Sequence, residues 1–102
     1  MRFFLIFVGV VHVFTGCATP RKPPLEEYVL AKAALDAAQK VDAIRFSPGH
    51  WADAEQSYNL GETFFNAKEF EKAFSAFSRA VKEAEQAENS TRLLREQKGE
   101  IF

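Results

Sequence analysis

Few side chains in this sequence have types and spacings that could do chemistry. Cys17 is the one cysteine among 102 residues, so its thiol is the single soft nucleophile and no disulfide can close within the chain. His50 stands beside Trp51 at the start of a helical pattern, and no serine has a base at a fixed spacing from it, so His50 reads as a solvated or capping side chain. Glu83, Glu85 and Glu88 alternate with Lys82 and alanines, which is the pattern of a solvated helix face. Asp36 with Lys40 and Glu88 with Arg92 are one turn apart in the favourable order, each pair worth a few tenths of a kcal/mol. No set of hard or soft ligands has metal-site spacing. The expectation is therefore a protein that is not an enzyme, with no catalytic residue, no metal and no cofactor. Its remaining chemistry is concentrated at Cys17.

The residues leading to that cysteine give it a context. Met1-Arg2 supplies one positive charge, and an apolar run continues to Phe14. That run is shorter than the roughly 20 residues needed to cross a bilayer and suits the core of an export signal. Phe14-Thr15-Gly16-Cys17 resembles the lipobox of bacterial lipoproteins, in which small residues before the cysteine admit the signal peptidase. The resemblance implies a signal peptide over 1–16, processing at Phe14, Thr15 and Gly16, and a mature chain whose first residue, Cys17, carries covalent fatty acyl chains of the palmitate kind. At about 0.8 kcal/mol per buried methylene, more than one such chain gives stable membrane residence. Ala18 after the cysteine resembles signals routed to the outer membrane, which implies an envelope protein anchored there and facing the periplasm. The alternative reading is a free thiol behind a membrane anchor or a buried helix.

Removing 1–16 deletes Arg2 alone among the charged groups and leaves twelve basic and fourteen acidic residues. That balance gives no electrostatic footprint for nucleic acid. Residues 17–24 form a tether, Cys17-Ala18-Thr19-Pro20-Arg21-Lys22-Pro23-Pro24, whose prolines favour an extended spacer. Arg21 and Lys22 either rest on anionic headgroups or keep the tether solvated.

A helical domain over 25–98 must follow, because Ala, Glu and Lys dominate, strand-like alternation is missing and Pro48 is the one further proline. The first helix is expected over about 24–46, with Leu30, Ala34, Ala37, Val41 and Ile44 as its apolar stripe. Ser47-Pro48 then predicts a helix start in which the Ser47 hydroxyl caps free backbone donors, Pro48 fills the first helical position, and Phe46 and Trp51 form a hydrophobic staple. The second helix is expected over 48–66 with Trp51, Ala54, Tyr58, Gly61 and Phe65 on one side, widened by Leu60 and Phe64. After a turn near Asn66-Ala67-Lys68, a third helix over 69–95 carries Phe70, Ala73, Phe77, Ala80, Ala84 and Ala87 at three-and-four spacing.

Tyr58-Asn59-Leu60-Gly61-Glu62-Thr63-Phe64-Phe65, then Phe70-Glu71-Lys72-Ala73-Phe74, Phe77 and Ala80, resembles one tetratricopeptide repeat over 57–81. The resemblance implies that Leu60 and Gly61 let two helices approach, that Phe64 and Phe70 pack the turn, and that Ala73 and Ala80 sit where helices cross. Lys68 stands where that repeat has glycine. One unit cannot bury its apolar face alone, so the first helix or a second copy must cover it. The expected architecture is an all-α, three-helix antiparallel bundle with helix one packed on a tetratricopeptide-like hairpin. Ala33, Ala37, Asp42-Ala43, Ser47-Pro48, Ala54 and the later alanines are in turn similar to an alanine-rich family of unknown function in Gram-negative lipoproteins, members of which precede OmpA-like domains. No second domain of that kind is read through Phe102, so the resemblance implies envelope placement and supplies no activity.

Nine aromatic residues lie between Tyr28 and Phe77, more ring area than a thin helical core easily hides. Either they pack against the small alanines of helix one, or some of them form a recognition patch. The residues expected to hold a partner are Asn59, Glu62, Phe65 and Phe74. The first functional expectation is thus a non-enzymatic docking or assembly module, anchored at a membrane by lipid, that binds another protein or itself. The second is a passive spacer or envelope-integrity element.

Overall fold

A computed structural model describes residues 22–99, and all regular structure among them is helical. Four helices follow one another: α1 Leu25–Lys40, α2 Ala43–Phe46, α3 Pro48–Asn66 and α4 Phe70–Gln97. The expected all-α class is met, but the first helix is two helices. Between α1, which ends at Lys40, and α2 the backbone of Asp42 turns left-handed at φ 69°, which breaks the helix and starts a new single turn. A continuous helix over 24–46 is therefore corrected. A short polar Asp tolerates that backbone better than most residues, and its amide donates to the Gln39 carbonyl at 3.0 Å to close the end of α1.

α4, with 28 residues, is the spine against which the other three helices pack. Pairings between α3 and α4 run Ser47 with Thr91, Ser57 with Glu83, and Phe65 with Phe70, so these two helices point in opposite directions. Tyr28 meets Phe77 and Val41 meets Arg95, so α1 runs alongside α4 in the same sense.

The core is built chiefly of alanine. Ala31, Ala38, Ala43, Ala54, Ala73, Ala80, Ala84 and Ala87 are fully buried, and among the described residues Phe77 is the one large apolar side chain that is also fully enclosed. Small side chains bring helix axes close together at the cost of little apolar area per residue. A fully buried Phe contributes about 1.5–3 kcal/mol, several times an alanine's share. Phe77 needs a partner without a side chain. A Cβ placed on Gly61 would lie 2.5 Å from two carbons of the Phe77 ring, so the absence of one is what admits the ring.

The expected stripe of α4 is the one that is buried. The expected stripe of the first helix holds at Val41, which is buried, but before it the stripe is rotated: Ala31, Leu35 and Ala38 face inward, whereas Leu30 and Ile44 of the expected stripe are 50% and 47% exposed. Both sets have the same three-and-four spacing. Only the rotated set puts Tyr28 over Phe77 and small Ala31 beside it.

α3 begins at Pro48 and ends at Asn66, as its sequence predicts. The Ser47 hydroxyl does not cap it. That hydroxyl instead accepts a hydrogen bond of 2.9 Å from Thr91 Oγ1, and both residues are buried. Of the two residues expected to form the staple, Trp51 packs among Ala38, Leu35, Ala54 and Ala87, and Phe46 lies under cations. At the other end of α3, the Lys68 amide donates to Phe65 and the Glu69 amide to Phe64, at 3.0 and 2.9 Å, a Schellman closure whose left-handed residue is Lys68 at φ 60°.

Candidate functional site

Two faces of α3 carry the expected partner residues, and they have opposite fates. The face toward α1 is covered. Tyr28 stacks on Phe77 with ring centroids 4.4 Å apart and meets Tyr58 and Phe65 edge-on at 5.9 and 5.1 Å. Its hydroxyl donates to Glu62 Oε2 at 2.5 Å. This bond to a carboxylate, followed by burial, raises the Tyr28 phenol well above its ordinary range. Glu62 and Phe65 are thus half-buried parts of the domain's own packing, not a free concave surface. Phe74 on α4 is likewise half-buried. Among the described residues, the large apolar side chains that reach well into solvent are aliphatic, including Leu25, Val29, Leu60 and Leu93.

The opposite face of α3 is open. Trp51, Ala52, Glu55, Gln56, Asn59, Leu60 and Thr63 line a groove of about 440 Å³. A second hollow of about 290 Å³ shares Gln56 and Leu60 with it and adds Asp53, Ser57, Arg79 and Glu83, so the two are adjacent. Leu60, 38% exposed, is the apolar ridge between them. At the wall the Ser57 hydroxyl donates to Glu83 Oε2 at 2.7 Å and accepts from Arg79 Nε at 3.2 Å. Ser57 is 4% exposed, and its bonds to two opposite charges fix both side chains across the α3–α4 seam. Together the two hollows present an apolar strip, one guanidinium and three carboxylates, those of Asp53, Glu55 and Glu83.

Of the four expected partner residues, Asn59 alone lies in this groove. Sequence reasoning missed Ser57, Arg79 and Glu83 as a set. The available signal was Ser57 itself: it stands three residues after Ala54 and four before Gly61, on the inward stripe, where a hydroxyl must find partners on the facing helix.

Compared with protein-family models, curated proteins and solved structures, the chain matches none.

Among the described residues, no helix is long and apolar enough to cross a membrane, and no three His, Cys, Asp or Glu side chains gather as a metal site. His50 is exposed. Glu88 and Arg92 form the expected ion pair at 2.9 Å, while Asp36 and Lys40 do not pair. Phe14, Thr15, Gly16 and Cys17 lie outside the described residues.

Proposed function

We propose that this chain is a lipid-anchored envelope protein whose helical domain docks a peptide segment of another protein along the outer face of α3. The observation that carries the docking half is the pair of adjacent hollows on the outer face of α3, where exposed Leu60 lines both and the smaller one is bordered by a fixed Ser57–Glu83–Arg79 set. Apolar contact with a few convergent polar groups is the common composition of a recognition surface. The lipobox-like Phe14-Thr15-Gly16-Cys17 and the proline tether support the anchored half. The finer fold reading, a tetratricopeptide-like hairpin covered by helix one in an antiparallel three-helix bundle, is supported by Gly61 receiving Phe77, by buried Ala73 and Ala80, and by the left-handed backbone of Lys68 at the glycine position.

Mass spectrometry of the mature protein tests the anchor. The expected result is an N-terminus at Cys17 bearing acyl chains, abolished by Cys17→Ala; a retained Met1 with an unmodified thiol ends the proposal. The docking half is tested by cross-linked pull-down from detergent extracts with Leu60→Glu and Arg79→Glu, both at solvent-accessible positions. Loss of one specific partner in both variants is expected. The inward turn of the aromatic rings favours a second reading, a passive spacer, in which both substitutions leave every interaction and the phenotype unchanged.

A further inference from the structure

The far end of the molecule gathers positive charge on a single ring. Phe46, half-buried in α2, has the Arg45 guanidinium 4.7 Å from its ring centroid, the Lys98 ammonium at 5.0 Å and the Arg95 guanidinium at 5.6 Å. Each cation gains from the ring's quadrupole at such distances, yet the ring has one quadrupole to share and the three charges repel one another. Arg95 is also committed to structure, donating to the Val41 carbonyl at 3.0 Å and so closing the end of α1. Arg45 pairs with Asp42 at 3.4 Å, but with its side chain 70% exposed that pair is screened by solvent and weak. Lys98 is exposed. At the same end, Ile44 and Leu94 reach 47% and 39% exposure. At the opposite end, exposed Glu26, Glu69 and Glu71 are interspersed with exposed Lys22, Lys68 and Lys72, and Glu69 pairs with Lys72.

Positive charge converging on an aromatic ring, beside uncovered aliphatic side chains, is complementary to a segment that carries both carboxylates and aliphatic residues. We propose that this end of the molecule is a second docking site, distinct from the α3 groove, for an acidic peptide segment of a partner protein. Carboxylates of the segment engage Arg45 and Lys98, and its aliphatic residues lie against Phe46, Ile44 and Leu94. A peptide fits better than anionic lipid because the helical domain begins with α1 at Leu25, and the 16 residues of α1 carry the chain about 24 Å before Phe46 is reached. On the reading of a lipid anchor at Cys17, which this preference for peptide over lipid rests on, the basic end points away from the anchoring membrane. A single compact cluster of cations also lacks the extended basic track that nucleic acid requires.

Fluorescence anisotropy on the full chain, held in neutral phosphatidylcholine nanodiscs, tests the site with a labelled peptide alternating glutamate and leucine. Its glutamine counterpart and phosphatidylglycerol vesicles form the other arms. Binding of the glutamate peptide is expected, weakened about tenfold or more by Arg45→Glu with Lys98→Glu and by raised salt, and unchanged by Lys32→Glu on the exposed side of α1. Phe46→Leu should weaken it by a smaller factor without loss of helical circular dichroism. Equal binding of the glutamine peptide, or unchanged binding in the double variant, overturns the proposal, and so does a double variant that loses vesicle binding alone. Failure of the anchor reads out separately, as a Cys17→Ala protein that still sediments with membranes.

Discussion

The two ends of this small helical domain solve the same packing problem with different materials. At the end where α1 begins and α3 turns into α4, rings fill the space: Tyr28, Tyr58, Phe65 and Phe77 meet within a few ångströms, and Phe70 packs on Phe65. At the end where α1 breaks and α3 begins, the interior is Ala38, Ala43 and Ala87 with Val41, closed by Trp51 and by the buried Ser47–Thr91 hydrogen bond. Rings give much apolar area per residue but demand vacancies, of which Gly61 is one. Alanines allow close helix approach but leave polar groups to be matched pair by pair. The first end should therefore be sensitive to volume and the second to hydrogen bonding.

That contrast can be broken by substitution, and the largest expected effect is at the ring end. Phe77→Ala empties the one fully buried ring and should destabilise by about 3–5 kcal/mol, read as the shift in urea midpoint. An effect under 1 kcal/mol would mean that the ring cluster is not the main support of the fold. Gly61→Ala forces a methyl into the Phe77 ring and should cost about 1–3 kcal/mol; Phe77→Leu in the same chain should cost less than the two changes added separately. Additive costs would show that the two residues do not meet.

At the alanine end, Thr91→Val keeps shape but removes the donor to Ser47 and should cost about 1–2 kcal/mol. The mirror substitution, Thr91→Ser, keeps the hydroxyl and should lose mainly the methyl's packing, so a larger loss for Ser than for Val would reverse the proposed contrast. A pH titration sharpens the ring end again. The Tyr28 phenol is raised in the folded state by its bond to Glu62, so the stability it contributes is complete below pH ~10 and is lost as pH rises through the folded value. Thermal melts between pH 9 and 11 should thus fall more steeply for the native protein than for Tyr28→Phe. The smallest effect lies in the chain reversals. Lys68→Gly removes a left-handed lysine and should stabilise by about 0.5 kcal/mol, more than Asp42→Gly, because Asp already tolerates that backbone.

How much was legible depended on whether a signal was local. Pro48, with Ser47 before it, marks the start of α3 because a fixed φ and a missing amide suit the first helical position. The stripe of α4 was readable because Ala73, Phe77, Ala80, Ala84 and Ala87 leave no rival apolar face. α1 has two faces of equal spacing, and the choice between Leu30 and Leu35 turned on what lay across the gap. The candidate groove was half legible: Asn59 is in it, but Glu62 and Phe65 are drawn to α1 by Tyr28, a residue 34 positions from Glu62.

Composition and periodicity alone thus determine that residues 25–98 are helical, where the α3–α4 turn falls and which side of α4 is buried. Those facts follow from backbone propensity and from the 3.6-residue repeat, which act over a few neighbours. The tertiary structure decided the rotation of α1, the break at Asp42, the diversion of the Ser47 hydroxyl to Thr91, and the gathering of Arg45, Arg95 and Lys98 on Phe46. Each of these depends on a contact between residues far apart in the chain, and such contacts are set by volume and hydrogen-bond matching across helices, not by sequence spacing.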